Sequence, residues 1–323
     1  MATELFKAYI AAHLDSVNEA LMQACHRLPE PVRPIAAHIF GAGGKRLRPI
    51  LCLLSAGAAG HDGRNLTELA ITMEMLHAAT LLHDDVLDNS DTRRGSVAAH
   101  LAFGVTEAIL AGDAMLACAN EIVAQREMPA LCRLFSRATS ETAAGEILEL
   151  NMAGRMDMAP KNYEAIVRGK TAWLLRASCG LGAIAAGASA RIAGLLEDYG
   201  EKLGMAFQLV DDALDFAPSD TTGKPRGGDL REAKLTMPVM LFRQGLSDDA
   251  RADFDRRFAA RTLADDEIES LARRIHEDGP AGETRLNAQK YLDEALDALN
   301  GLAPSPERAV LTEICAYVRD REK

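Results

Sequence analysis

The sequence has few aromatic residues, which make up 5% of the chain, and almost no alternating runs of branched and aromatic residues. A sizeable β-sheet would therefore have little to be built from. The six cysteines are scattered without a CxxC pair. This pattern favours buried thiols in a reducing compartment, and we expect a cytoplasmic protein.

Positive charge is also scarce, with 36 lysines and arginines against 47 aspartates and glutamates, for a net charge of −11. This balance disfavours a general role on nucleic acid or anionic lipid, although a local basic patch can still bind an anion. The longest apolar stretches, 49–60 and 177–190, are too short or too rich in small residues for a membrane span. The N-terminus lacks the basic start and apolar run of a signal peptide.

Helical periodicity is what the sequence has in abundance. Apolar residues make up 48% of the 323 residues and recur every three or four positions, as at Leu69, Met73 and Leu76. Glycine- and proline-rich breaks separate the periodic segments, and none is long enough for an interdomain linker. We predict one all-α domain over residues 1–323, a bundle of roughly ten or more helices. The charged segment after Gly245 is expected to form a solvated outer layer.

A first acidic cluster lies in LLHDDVLDNSDTRRG, residues 81–95. If 68–88 is one helix, Asp84 and Asp88 share a face with His77, and Asp85 flanks them. Carboxylates at a helix C-terminus repel one another and the helix dipole unless a cation is bound. Oxygen ligands of this kind suit Mg²⁺, which bridges carboxylates to phosphate.

Two arginines follow this cluster, and they decide between two interpretations of it. A DDxxD motif alone also fits a solvated acidic turn. Arg93 and Arg94 are planar donors that clamp anions, and they lie just past the helix, before Gly95. Carboxylates followed by arginines favour a site for metal and diphosphate.

A second acidic cluster repeats the spacing in GMAFQLVDDALDF, residues 204–216, with Asp211, Asp212 and Asp215. Gln208 shares their helix face. Sites in helical bundles are built from facing helices, so the two clusters could face each other across one.

Three basic segments complete the set of candidate residues. They are GGKRLRP at 43–49, GKTAW at 169–173 and GKPRGGDLREAKLTMP at 223–238. GKTAW is not a phosphate-binding P-loop, since it lacks the GxxxxGK spacing and a preceding strand. Each segment alone is a weak signal. Together they supply Lys45, Arg48, Lys170, Thr171, Lys224, Asp229 and Lys234.

Taken together, these motifs resemble those of the trans-type polyprenyl diphosphate synthases. The resemblance extends from about GGKRLRP to the terminal YVRDR and includes EMLH, GEILEL and GKTAWL in the family's order. It implies an isoprenoid synthase-type helical bundle around a central apolar cavity, and it implies a homodimer. It further implies a Mg²⁺-dependent prenyltransferase that condenses isopentenyl diphosphate head-to-tail onto an allylic diphosphate such as farnesyl diphosphate.

The resemblance also assigns residues to roles. It implies that Mg²⁺ is held on the allylic diphosphate by Asp84, Asp85, Asp88, Asp211 and Asp215, with Asp212 a neighbour in the motif. The allylic substrate is expected to contact Arg93, Lys170, Thr171, Gln208, Lys224 and Lys234, and isopentenyl diphosphate is expected to contact Lys45, Arg48, His77 and Arg94. The residues expected to matter most for catalysis are Asp84, Asp85, Asp88, Arg93, Lys170, Asp211, Lys224 and Lys234.

Two positions depart from the family pattern. Glu149 replaces the glutamine of GExxQ, which would alter the pocket wall, and Ala233 replaces the glycine of EGK, which would stiffen a loop. By family analogy, the position of Ala79 forms the pocket floor in short-chain enzymes, which carry an aromatic residue there. Leu76, Ala79 and Thr80 include no aromatic residue, so we predict a long product, about octaprenyl. Another helix could also supply the floor.

Three alternatives stay open at this stage. One is a shorter-chain synthase that makes farnesyl or geranylgeranyl diphosphate. A second is a terpene cyclase, although that class usually has mixed ligands in its second metal motif. A third is a non-catalytic subunit of a heteromeric synthase, although such subunits tend to lose aspartates from one motif.

Overall fold

Helices make up nearly all the regular structure in the computed structural model, which describes residues 3–61, 65–218 and 225–322. A 3₁₀ turn, Glu30–Val32, precedes α2, and a π-helical turn, Arg168–Ala172, joins α8 to α9. The helices are α1 Glu4–Cys25, α2 Arg33–Gly41, α3 Leu47–Ala58, α4 Thr67–Leu87, α5 Ala99–Phe103, α6 Val105–Ala124, α7 Pro129–Met152, α8 Pro160–Val167, α9 Trp173–Ala185, α10 Ala190–Leu214, α11 Gly228–Arg231, α12 Met237–Gln244, α13 Asp248–Ala259, α14 Asp265–Glu277, α15 Pro280–Asn300 and α16 Pro306–Arg319.

The strands of the described residues are two short ones, β1 Thr92–Arg93 and β2 Ser96–Val97, which pair antiparallel. Their hairpin follows α4 directly and fixes the two arginines of the first acidic segment beside the end of that helix. The prediction of an all-α fold is therefore confirmed, and the predicted helix 68–88 is observed as Thr67–Leu87.

The long helix α10 lies at the centre of the bundle. Ser189 caps its start by accepting a hydrogen bond from the backbone N–H of Ile192. Leu196, Leu203 and Val210 recur every seven residues and are buried, because this spacing keeps them on one face. Along its length α10 packs against α9 and α15, while α3 packs against α9 and α4. The buried apolar residues form a single connected core.

The segment after Gly245 only partly matches the predicted outer layer. In α13 only two residues are buried. By contrast, α15 packs along α10 and buries one side, because Ala281, Ala288 and Leu292 repeat at helical spacing.

Close backbone contact between α7 and the π-helical turn depends on two glycines. A Cβ atom on Gly145 would lie 2.5 Å from the backbone nitrogen of Lys170, and one on Gly169 would lie 2.7 Å from the Cα of Gly145. Neither position can carry a side chain without moving a helix. This contact sets the distance between Lys170 and the acidic side chains of α7.

All six cysteines are free thiols, and five of them are buried. No helix in the described ranges is both long and apolar enough to span a membrane.

Candidate active site

A glycine-containing turn brings the first basic residues to the site. Gly44 has a φ of 140°, a conformation that L side chains rarely adopt. The buried guanidinium of Arg46 donates a hydrogen bond to the Glu74 carboxylate at 3.1 Å. Because Arg46 anchors the turn in the core, Lys45 and Arg48 on either side of it line a cavity.

This cavity has a volume of about 870 Å³ and is lined by residues from α3, α4, α7, the π-helical turn, α10 and the C-terminal segment. Its size lies in the upper part of the range of ~300–1,000 Å³ that is usual for ligand sites. It brings together most of the predicted site residues: Lys45, Arg48, Leu76, His77, Ala79, Thr80, Asp84, Arg93, Arg94, Lys170, Thr171, Gln208 and Asp211. Lys234 lines an adjoining pocket of about 200 Å³, and Lys224 lies outside the described residues.

The first aspartate cluster ends α4, and its three carboxylates have different environments. Asp84 faces the cavity, and burial together with the nearby Glu146 raises its pKa to about 7. Asp85 points inward and is only 1% exposed; Arg93 donates from Nε to its Oδ1 at 2.8 Å. Asp88 follows the last residue of α4 and is exposed.

The second cluster ends α10 and also separates its members. Asp211 faces the same cavity, and its Oδ1 lies 2.7 Å from Nη1 of Arg321. Asp212 is buried, with the Tyr163 hydroxyl donating to Oδ2 at 2.5 Å and Gln208 donating to Oδ1 at 2.8 Å. Burial raises the pKa of Asp212 to about 7, although both hydrogen bonds lower it.

Asp215, the last member of the second cluster, caps α11. Its two oxygens accept hydrogen bonds from the backbone N–H groups of Gly228 at 3.1 Å and Asp229 at 3.0 Å. Burial raises the pKa of Asp215, and these bonds oppose the shift. The side chain therefore stabilises the segment that leads to Lys234, and a role as metal ligand stays a prediction for Asp215, as it does for Asp85 and Asp88.

Lys170 and Thr171 lie in the π-helical turn, a rare geometry that often occurs at functional sites. The Thr171 hydroxyl donates to Oε1 of Gln208 at 2.7 Å. Nζ of Lys170 lies 2.8 Å from a carboxylate oxygen of Glu146 and 2.5 Å from one of Glu149. The three predicted allylic-site residues of this wall are thus held in place by contacts within the protein.

The α4 side of the cavity carries concentrated positive charge. Burial and the charges of Arg48 and Arg94 keep the pKa of His77 well below its usual value, so this histidine is neutral. Arg94 also donates a hydrogen bond to the carbonyl of Gly43, which joins the hairpin to the glycine-containing turn. This wall suits an anion such as a diphosphate group.

The two departures from the family pattern have visible consequences. Glu149 places a carboxylate between Lys170 and Lys234, with its Oε2 3.9 Å from Nζ of Lys234. Ala233 has a φ of 54°, in the left-handed region that favours glycine, and is fully buried. An alanine there costs about 1 kcal/mol of backbone strain.

The acidic side chains of the site offer only oxygen donors, which bears on the metal ion that the site can hold. Among residues 3–61, 65–218 and 225–322, no group of three or more His, Cys, Asp or Glu side chains is close enough to hold one. Asp84 and Asp211 direct carboxylates into one cavity, and Oδ2 of Asp85 is buried without a hydrogen-bond partner. All-oxygen donors fit Mg²⁺, which binds one or two carboxylates and completes its shell with water and substrate phosphate. The site therefore fits metal that arrives with diphosphate.

Sequence reasoning assigned no role to three residues that shape the site. Glu146 lies in the quoted GEILEL motif, which could have drawn attention to it, and Arg321 lies in YVRDR. Tyr163 gave no signal, because a single tyrosine in a short helix, 49 positions before Asp212, does not indicate a contact.

Known proteins support the same chemistry. Residues 29–275 match the family model described as Polyprenyl synthetase. The geranylgeranyl diphosphate synthase of Methanosarcina mazei is 33% identical over 97% of this chain and 96% of its own length. The octaprenyl diphosphate synthase of Escherichia coli is 32% identical over 99% of this chain and all of its own. Heptaprenyl diphosphate synthase component 2 of Geobacillus stearothermophilus is 32% identical over the full length of both chains.

Solved structures agree with these relatives. A decaprenyl diphosphate synthase from Rhodobacter capsulatus superimposes with a TM-score of 0.91 at 34% identity and covers all of both chains. A polyprenyl synthase from Caulobacter crescentus, solved with calcium and isoprenyl diphosphate, gives a TM-score of 0.91 at 33% identity and covers 100% of this chain and 98% of its own.

Proposed function

The chain belongs to the polyprenyl synthetase family and is a trans-polyprenyl diphosphate synthase, and we propose that its product is a long all-trans chain, about octaprenyl. The observation that carries this proposal is the cavity of about 870 Å³ that Asp84, Asp211 and most of the predicted basic residues line. The relatives make products from geranylgeranyl to decaprenyl, by their names, so product length must be argued from the cavity itself.

We propose Mg²⁺ as the metal, bound with the diphosphate at Asp84 and Asp211. Asp85, Asp88 and Asp215 are the further predicted ligands. When bound, Mg²⁺ supplies positive charge to the leaving diphosphate. The calcium and isoprenyl diphosphate bound by the Caulobacter crescentus protein support a divalent metal in this family.

In the proposed reaction, the allylic carbon–oxygen bond breaks and its electron pair leaves with the diphosphate. Arg93 and Lys170 stabilise the negative charge that develops on this group. The alkene of isopentenyl diphosphate, bound by Lys45, Arg48, His77 and Arg94, attacks the allylic cation and forms the new carbon–carbon bond. Loss of a proton, by family analogy to the diphosphate, completes the cycle. Thr171, Gln208, Lys224 and Lys234 complete the proposed allylic subsite.

The apolar end of the cavity supports a long product. Ala79 is buried and lines the cavity five positions before Asp84, about 7.5 Å along the helix. We expect Ala79→Tyr to shorten the main product by two or more isoprene units, because the ring would fill the space below the aspartates. Ala79→Ser, which barely changes the volume, should leave the product unchanged. An unaltered chain length in Ala79→Tyr would show that another residue forms the floor.

The activity itself is tested by incubating the purified chain with Mg²⁺, farnesyl diphosphate and labelled isopentenyl diphosphate. Elongated products, separated by chromatography, are the expected result. A folded chain that makes none would favour the alternative of a subunit in a heteromeric synthase, a possibility raised by the name of the Geobacillus stearothermophilus relative.

We also propose a cytoplasmic homodimer. The buried free thiols support a reducing compartment such as the cytoplasm.

The dimer is supported by exposed apolar surface, because clusters of such surface mark interaction sites. The large apolar side chains exposed around α5 and α6 are Leu101, Phe103, Val105, Ile109 and Leu110. Light scattering on the pure chain should give twice the mass of 34.7 kDa, and Leu101→Glu combined with Leu110→Glu should give the monomer.

A further inference from the structure

Glu149 lies between two lysines that come from different parts of the fold. Its Oε2 accepts a hydrogen bond from Nζ of Lys170 at 2.5 Å and lies 3.9 Å from Nζ of Lys234. Lys170 belongs to the π-helical turn and Lys234 follows α11. Of the two carboxylates that contact Lys170, that of Glu146 lines the main cavity, whereas that of Glu149 lines the adjoining pocket together with both lysines.

The position of this carboxylate is set by the backbone. Gly145 and Gly169 allow the backbones of α7 and the π-helical turn to touch. The side chain of Lys170 therefore extends from the turn next to Glu149. The groups are also sheltered from solvent, with 21% of the Glu149 side chain, 28% of Lys170 and 24% of Lys234 exposed. Charges at these distances and in this environment interact more strongly than they would in water.

The lysines of this wall are already neutralised. Glu146 and Glu149 contact Lys170, and Glu232 lies 2.6 Å from Lys234, so the cluster holds one more negative charge than positive. Burial by itself would lower the pKa of Lys170, but the charges and hydrogen bonds of Glu149 and Glu146 together outweigh this effect and raise it. Both lysines stay protonated, and the carboxylates in contact with them offset their positive charge.

We infer that Glu149 makes diphosphate binding at the Lys170–Lys234 wall conditional on divalent metal. A free diphosphate is repelled by the excess negative charge, whereas a diphosphate that carries metal ions is not. Removal of the Glu149 charge would leave each lysine in contact with one carboxylate, Glu146 for Lys170 and Glu232 for Lys234, so metal-free diphosphate should then bind there more tightly. The inference rests on the proposed function, because it takes these lysines to be diphosphate ligands.

The test is calorimetric titration of the full chain with inorganic pyrophosphate, once with EDTA and once with Mg²⁺. Glu149→Gln keeps the shape of the side chain and removes its charge. With EDTA, we expect this variant to bind pyrophosphate at least about tenfold more tightly than the unmodified chain. With Mg²⁺, the difference should fall below about threefold. Glu141→Gln is the matched control, because Glu141 lies on the same helix and pairs with Arg137 instead.

A second pair of variants separates charge from packing. Glu149→Asp keeps the charge and should bind like the unmodified chain, whereas Glu149→Met is uncharged, similar in length and should behave like Glu149→Gln. The methionine variant also provides the test if the glutamine variant does not fold. If neither uncharged variant binds metal-free pyrophosphate more tightly than Glu141→Gln, including no detectable binding by any of them, the inference is wrong. It is equally wrong if the gain is the same with and without Mg²⁺.

Failure of the proposed function would be seen separately. A chain that does not elongate farnesyl diphosphate would contradict the synthase proposal, while the pyrophosphate titrations would still report on Glu149. Conversely, an active chain whose pyrophosphate affinity does not respond to Glu149→Gln would remain a synthase and refute only the role of this carboxylate.

Discussion

The two aspartate clusters have the same spacing and end two helices of the same bundle, yet they are built differently. In each, the first aspartate, Asp84 or Asp211, faces the cavity. The second is withdrawn from it: Asp85 forms an ion pair with Arg93, and Asp212 accepts hydrogen bonds from a tyrosine and a glutamine. A shared motif therefore fixes which residue faces the cavity, while the surrounding helices decide how its neighbours are used.

The walls around the two clusters also differ in charge. On the α4 side, burial and the charges of the nearby arginines lower the pKa of His77 and leave it neutral. On the α10 side, glutamates raise the pKa of Lys170 and Lys234 against the effect of burial. The positive charge of the α4 side is therefore available to an anion. The positive charge of the α10 side is already paired with carboxylates. The two walls therefore present different electrostatic environments to an anion.

The largest expected effect comes from the two aspartates that face the cavity. Asp84→Asn and Asp211→Asn should each lower kcat by about 100-fold or more, because each removes a carboxylate that would hold metal on the leaving group. Asp198→Asn, at an exposed position of α10, is the control and should leave kcat unchanged. Steady-state elongation assays give the answer. If only one of the two variants loses activity, the clusters are not equivalent at their first positions.

A smaller effect is expected where the second cluster is anchored. Tyr163→Phe removes a hydrogen bond to the buried Asp212 carboxylate and should lower the free energy of unfolding by about 1–2 kcal/mol. Urea denaturation measures this value. Tyr291→Phe, at a half-buried tyrosine of α15, should change it by less than about 0.5 kcal/mol. Equal stability of the two variants would mean that Asp212 does not depend on Tyr163.

The smallest effect concerns the charge of the α4 wall. Because the pKa of His77 is lowered in the folded chain, the unfolded chain binds more protons at this group below about pH 6.5, and the contribution of His77 to stability falls with the pH. Asp84 and Asp212, whose pKa values are raised to about 7, act in the opposite direction. We therefore expect the contribution of His77, a loss of about 1 kcal/mol between about pH 6.5 and pH 5.5, to disappear in His77→Gln. His26→Gln, at an exposed position, should retain it. Urea denaturation at both pH values makes the measurement, and an unchanged pH dependence in His77→Gln would contradict the neutral histidine.

Much of this architecture could be predicted from the sequence, because its signals are local. The period of apolar residues predicted the helices, and the DDxxD spacing on two helix ends indicated that the two clusters could face each other. Side chains on the same helix face have fixed relative positions, so grouping residues within one cluster needs no tertiary information. The same reasoning placed Gln208 with Asp212, and its side chain donates a hydrogen bond to that carboxylate.

The remaining features of the site depend on contacts between segments that are distant in the sequence. The sequence alone does not show which of these segments meet. Asp85 and Asp88 occupy neighbouring positions, but burial separates them, and only the packed hairpin determines that Arg93 contacts Asp85. The pairing of Tyr163 with Asp212 and of Arg321 with Asp211 likewise requires the folded bundle. The same holds for Glu149. Its departure from the family pattern was visible in the sequence, but its contacts with Lys170 and Lys234 were not.

The π-helical turn at Arg168–Ala172 changes the rotational position of α9 about the helix axis relative to α8. A π turn contains an extra residue, so the faces of α8 and α9 are offset by about 100° from those of one continuous helix. Deletion of one residue there would restore a regular helix and rotate Lys170 and Thr171 away from Gln208 and the cavity, with little change in composition. The apolar faces of α8 and α9 thus both pack in the core, while the irregular turn between them directs Lys170 and Thr171 into the cavity.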